Sequence, residues 1–78
     1  MAEPTTMTRL ELFAVVALLR DLPEHGLTRG QVGTVVEIYS PNDAEVEFID
    51  GEGYTYALAT LRTHDLMRLH HQPIRKAA

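Results

Sequence analysis

An all-β domain is what this sequence predicts, and three observations carry the prediction. β-branched and aromatic residues gather in short runs, turn-forming residues separate those runs, and one run, Ala44 to Ile49, alternates between apolar and acidic side chains as far as Phe48. The chain holds 78 residues, which suits one small domain, and we expect it over 10–71, between a flexible arm at 1–9 and a flexible tail at 72–78.

The arm, with Pro4 and the Thr5-Thr6 pair, shows no periodicity. The first element, Leu12 to Leu19, reads as a buried strand through Phe13, Val15 and Val16. A short helix competes for the same residues, because Thr8 and Glu11 have capping-box spacing and Ala14, Ala17 and the leucines favour helix. Leu22 to Gly30 has the composition of a long irregular loop. Val32 to Tyr39 is the second strand, and Ser40-Pro41-Asn42-Asp43 is a strong turn. Ala44 to Ile49 is the third strand, with Ala44, Val46 and Phe48 on one face and Glu45 and Glu47 on the other. Asp50-Gly51 signals a hairpin, Tyr54 to Leu61 is the fourth strand, Thr63 to Asp65 is a short turn open to one turn of 3₁₀ helix, and Leu66 to His70 is the fifth strand. Five short strands in this order describe a small closed or nearly closed barrel, with Val16, Val35, Ile38, Val46, Phe48, Leu58 and Leu66 in or near its core.

Several kinds of chemistry find little support. With no cysteine there is no disulfide, thiolate nucleophile or Cys-based zinc site, and a cytoplasmic setting fits. The longest apolar run, Leu12 to Leu19, is far short of the roughly 18 residues a membrane helix needs, and no signal peptide is recognisable. His25, His64, His70 and His71 are scattered, and on a strand the adjacent pair would face opposite ways, so no metal is expected. Ser40 sits in a turn without a helper residue at a recognisable spacing. Glu45 and Glu47 would stand about 7 Å apart on one strand face, yet a barrel filled by its own side chains offers no pocket to desolvate a general acid. Gly51-x-Gly53 and Gly30-x-x-Gly33 match no phosphate-binding fingerprint. The sequence therefore predicts no enzyme activity and no cofactor.

Charge is the most informative feature. The formal net charge is −4, yet Asp43, Glu45, Glu47, Asp50 and Glu52 lie within ten residues that contain no Lys or Arg, while Arg68, Arg75 and Lys76 make the end of the chain basic. An acidic strand face suits docking on a protein partner with a basic surface, and it also suits a solvated hairpin with no partner. For a chain this short without disulfides, a homodimer is a further route to stability.

The stretches Leu22-Pro23-Glu24-His25-Gly26-Leu27, Gly30-Gln31-Val32-Gly33-Thr34-Val35-Val36-Glu37, Glu45-Val46-Glu47-Phe48, Tyr56-Ala57-Leu58 and Thr60-Leu61 resemble the bacterial domain-of-unknown-function family 4926, over roughly 12–69. The resemblance implies a small SH3-like barrel and brings no activity with it. Gly30-x-x-Gly33-x-Val35 is also similar to the core of KOW-type modules, which bind RNA or ribosomal and transcription proteins. The acidic charge departs from the basic character of such modules and argues against nucleic acid. These readings lead to a non-catalytic protein-binding module, an antitoxin-like or accessory subunit acting with the product of a neighbouring gene, with a KOW-like nucleic-acid or ribosome-associated module as the alternative. The residues expected at the docking face are Asp43, Glu45, Glu47, Asp50 and Glu52; those with structural roles are Gly30, Gly33, Phe48 and Gly51.

Overall fold

Five antiparallel strands form one sheet in a computed structural model that describes residues 10–70. They are β1 (Val15–Leu18), β2 (Val32–Ser40), β3 (Asp43–Ile49), β4 (Thr55–Arg62) and β5 (Leu66–Arg68), in the spatial order β4-β3-β2-β1-β5. Short 3₁₀ turns occupy Pro23–His25 and Thr63–Asp65. The expected arm at 1–9, the tail at 72–78 and His71 lie outside the described residues.

The alternation read in the third strand places Ala44, Val46 and Phe48 fully inside, where they meet Val16, Val35, Leu61 and Leu66. The helical alternative for 12–19 does not form. Phe13 has φ +68°, its N–H donates to Val35 O at 2.6 Å, and Val35 N–H donates to Ala14 O at 2.9 Å. Two residues thus oppose one, a β-bulge that delays the regular strand until Val15.

The loop after β1 is more ordered than its composition suggests. Leu22 and Leu27 exchange backbone hydrogen bonds across the Pro23–His25 turn, and both side chains are buried. Gly26, with φ +68°, ends that turn in a conformation that glycine adopts without steric cost.

Two of the expected core residues are elsewhere. Leu58 pairs with Glu47 and is 59% exposed, because the inward positions of β4 are Ala57, Ala59 and Leu61. Small alanines suffice there opposite Val46 and Phe48, so residue size misleads and strand parity decides. Ile38 pairs with Ala44 on the core side, but register shifts at Val35/Glu37 and Ile38/Ser40 bend β2 away, and Ile38 lines an open groove instead.

No pairing joins β4 to β5 among the described residues, so the hydrogen-bond ladder does not close into a barrel. The strand order, with a 3₁₀ turn just before the last strand, is compatible with an SH3-like fold. No helix among the described residues is long and apolar enough to cross a membrane.

Candidate functional site

The face of β2, β3 and β4 that points away from the core collects the acidic residues. Because β3 alternates, burying Ala44, Val46 and Phe48 turns Asp43, Glu45 and Glu47 outward together. The pairing then adds Glu37 of β2, which stands directly opposite Glu45. A residue outside the acidic run thereby joins the site, and two like charges face each other across a strand pair, an arrangement that costs free energy on its own.

The two glutamates of β3 are half-buried and held in place. Thr60 Oγ1 donates to Glu45 Oε1 at 2.6 Å, the Tyr39 hydroxyl donates to the same oxygen at 3.3 Å, and Thr55 Oγ1 donates to Glu47 Oε2 at 2.6 Å. Partial loss of solvent, followed by the Glu45 charge and hydrogen bond and the Glu37 charge, pushes the Tyr39 phenol above its ordinary value. Among the described residues, no Lys, Arg or His forms an ion pair with Glu37, Glu45 or Glu47.

The other three acidic residues behave differently. Asp43 accepts from Ser40 Oγ at 3.0 Å and pairs with Arg62 Nε at 3.2 Å, which neutralises it. Asp50 Oδ1 accepts from the backbone N–H groups of Glu52 and Tyr54 at 2.9 and 3.0 Å, so its carboxylate shapes the β3–β4 turn. Glu52 is exposed at the tip of that turn.

The residues expected to have structural roles also separate. Gly33 has no room for a side chain: a Cβ there would lie 2.6 Å from Val46 Cγ1 and 2.9 Å from the carbonyl oxygen of Glu47. Gly30 has φ +93° in the turn leading to β2. Gly51 has open space around it and no positive φ; the left-handed residue of its turn is Gly53, at φ +90°. The Asp50-Gly51 signal therefore marks the right turn but the wrong glycine, because Asp50 builds a longer loop closed by hydrogen bonds to its own carboxylate. Phe48 is completely buried, with Tyr56 tilted against it at a ring-centre distance of 6.2 Å.

Ser40 Oγ accepts from Asn42 N–H at 3.1 Å as well as donating to Asp43, a turn-forming arrangement. His25, His64 and His70 are exposed, His64 lying 3.5 Å from Asp65, and no cluster of three or more metal-ligating side chains occurs among the described residues. An open groove of about 790 Å³ runs beside Leu10, Ile38, Tyr39, Ala44 and Thr63. Its lining holds no carboxylate, imidazole or amine, and Glu37, Glu45 and Glu47 lie outside it. Three carboxylates on an open face, those of Glu45 and Glu47 held by hydrogen bonds, are suited to accepting charged hydrogen bonds from Lys or Arg.

A family model described as Domain of unknown function (DUF4926) matches residues 12–68, so the chain belongs to that family. No curated protein and no solved structure matches the chain.

Proposed function

We propose that this DUF4926 domain is a non-catalytic protein-binding module whose partner presents a basic surface to Glu37, Glu45 and Glu47. The observation that carries the reading is the cross-strand placement of Glu37 against Glu45, with Glu47 two residues along and none of the three ion-paired among the described residues. Like charges held together by a fold cost free energy, and a partner bringing Lys or Arg relieves that cost on binding. The threonine and tyrosine hydrogen bonds that fix Glu45 and Glu47 reduce the side-chain entropy lost on association. In this reading the domain is an accessory or antitoxin-like subunit, and its partner is the product of a neighbouring gene.

The experiment starts from a tagged copy expressed in the native host and the protein that it retains. Glu37→Gln, Glu45→Gln and Glu47→Gln combined keep hydrogen-bonding capacity while removing three charges. Association of the retained partner with the folded triple variant is expected to slow several-fold, and added salt is expected to slow the wild type in the same way. Equal association rates for wild type and variant overturn the proposal. Retention of RNA in place of a protein, with binding that weakens steeply as salt rises, moves the assignment to the KOW-like alternative.

A further inference from the structure

We infer that β4 is a self-association edge and that its occupant is β4 of a second copy of this chain, paired antiparallel about a two-fold axis at Leu58. The inference does not depend on the acidic face having a partner.

One side of β4 is bonded to β3 along its length, and the other side has no strand beside it among the described residues. Unpaired edges usually carry a device that blocks further pairing: proline, inward-pointing charge, a bulge or extreme shortness. The opposite edge of this sheet has one of these, since β5 is only three residues long. β4 is eight residues long, has no proline, and keeps its single charge, Arg62, at its last position. Its bulge lies at the Phe48/Ile49 end and leaves Ala57 to Arg62 in regular register. Leu58 lies in this regular part and is 59% exposed.

The strand suits its own copy. With the axis at Leu58, that side chain meets Leu58 of the second copy on the outer face, while Ala57 meets Ala59 on the inner face. Apolar area is covered outside, and small residues let the two sheets approach inside. Charge does not oppose the pairing. The acidic row lies on β3, so the two rows end up three strand spacings apart, about 14 Å, beyond the Debye length of about 8 Å at physiological salt. An acidic or basic foreign strand has no comparable match along Thr55 to Leu61, which carries no charge at all.

Sedimentation equilibrium of the full chain, from about 10 µM to about 1 mM, is the direct test. The wild type is expected to rise from the mass of one chain towards that of two. Leu58→Lys places like charges opposite each other at the axis and is expected to weaken association by about tenfold or more. A second variant covers the case in which lysine disturbs folding. The chain has no cysteine, so Leu58→Cys under mild oxidation is expected to yield a disulfide-linked dimer, since directly opposed strand residues lie within disulfide reach. Val32→Cys, half-exposed on β2, is expected to remain a single chain. A wild type that stays one chain throughout, a folded Leu58→Lys variant that associates as the wild type does, or equal cross-linking at positions 58 and 32 overturns the inference.

Discussion

Phe48 fills the space that a side chain on residue 33 would need: a Cβ on Gly33 would stand 3.0 Å from Phe48 Cδ2, closer than packed carbon atoms come. The glycine of β2 and the largest fully buried side chain of β3 are therefore one packing unit. Val46 Cγ1 and the carbonyl oxygen of Glu47 crowd the same point. Gly33→Ala is expected to destabilise the domain by about 1–3 kcal/mol, as overpacking of a tight core does. Val46→Ala in that background removes the clash with Val46 Cγ1 and should rescue partially, because the Glu47 oxygen and the Phe48 ring remain. Urea unfolding of the four variants of this cycle measures the coupling, and a neutral Gly33→Ala contradicts the packing described.

From the other side of the same contact, Phe48→Ala is expected to cost about 3–5 kcal/mol. That is a large part of the stability of any small domain. Loss of the cooperative thermal transition, or a fall in melting temperature well beyond that of Gly33→Ala, is the expected result, and a melt near that of the wild type contradicts full burial.

Phe13 occupies a left-handed conformation, φ +68°, that costs an L-residue roughly 1–2 kcal/mol, while the residue is 72% exposed and gains little from packing. Phe13→Gly is expected to stabilise the fold by up to about 1 kcal/mol, once the greater backbone entropy of glycine is set against the relieved strain. Phe13→Val, β-branched at the same φ, is expected to lower stability. A reversed order of melting temperatures overturns this account of the bulge.

Asp65 is the only charged residue buried among the described residues, and Arg20 Nε reaches its Oδ1 at 2.9 Å from the end of β1. The hydrogen bond to Asp65, and then its charge, hold the Arg20 guanidinium above its ordinary value. Removing Arg20 leaves a buried carboxylate without this partner, whereas removing Arg62 exposes a carboxylate already in contact with water. Arg20→Met is therefore expected to lower the melting temperature more than Arg62→Met. Equal effects contradict the distinction.

Tyr39 gives the expected pH dependence. A phenol whose folded-state value is raised favours the neutral form in the native protein. Its contribution to stability is fully present below the unfolded value near 10 and is lost as pH rises through the higher folded value. In thermal melts the wild type should therefore lose stability relative to Tyr39→Phe on the alkaline side of that range, because the phenolate is less solvated and faces the charges of Glu45 and Glu37. A stability difference that stays constant there shows that the phenol is not coupled to its surroundings.

The strands and the outward turn of Glu45 and Glu47 were legible in the sequence because period-two alternation is local: the backbone sends neighbouring side chains to opposite faces whatever the rest of the chain does. Gly33 was legible as a glycine with a structural role, although the atoms that crowd it were not. Tertiary structure alone decided the remainder. Glu37 joined the acidic face because the β2–β3 register set it opposite Glu45, and Asp43 left the charged set because Arg62 crosses from β4 to neutralise it. Leu58 turned outward and Ile38 slid to a groove because strand parity and two shifts of register overrule hydrophobicity. Within 12–19 a strand, shortened to Val15–Leu18, won over helix because a bulge against Val35 and burial of Val16 and Leu18 required partners distant in sequence. Propensity at that segment favoured strand without excluding helix, and the contacts made on folding decided between them.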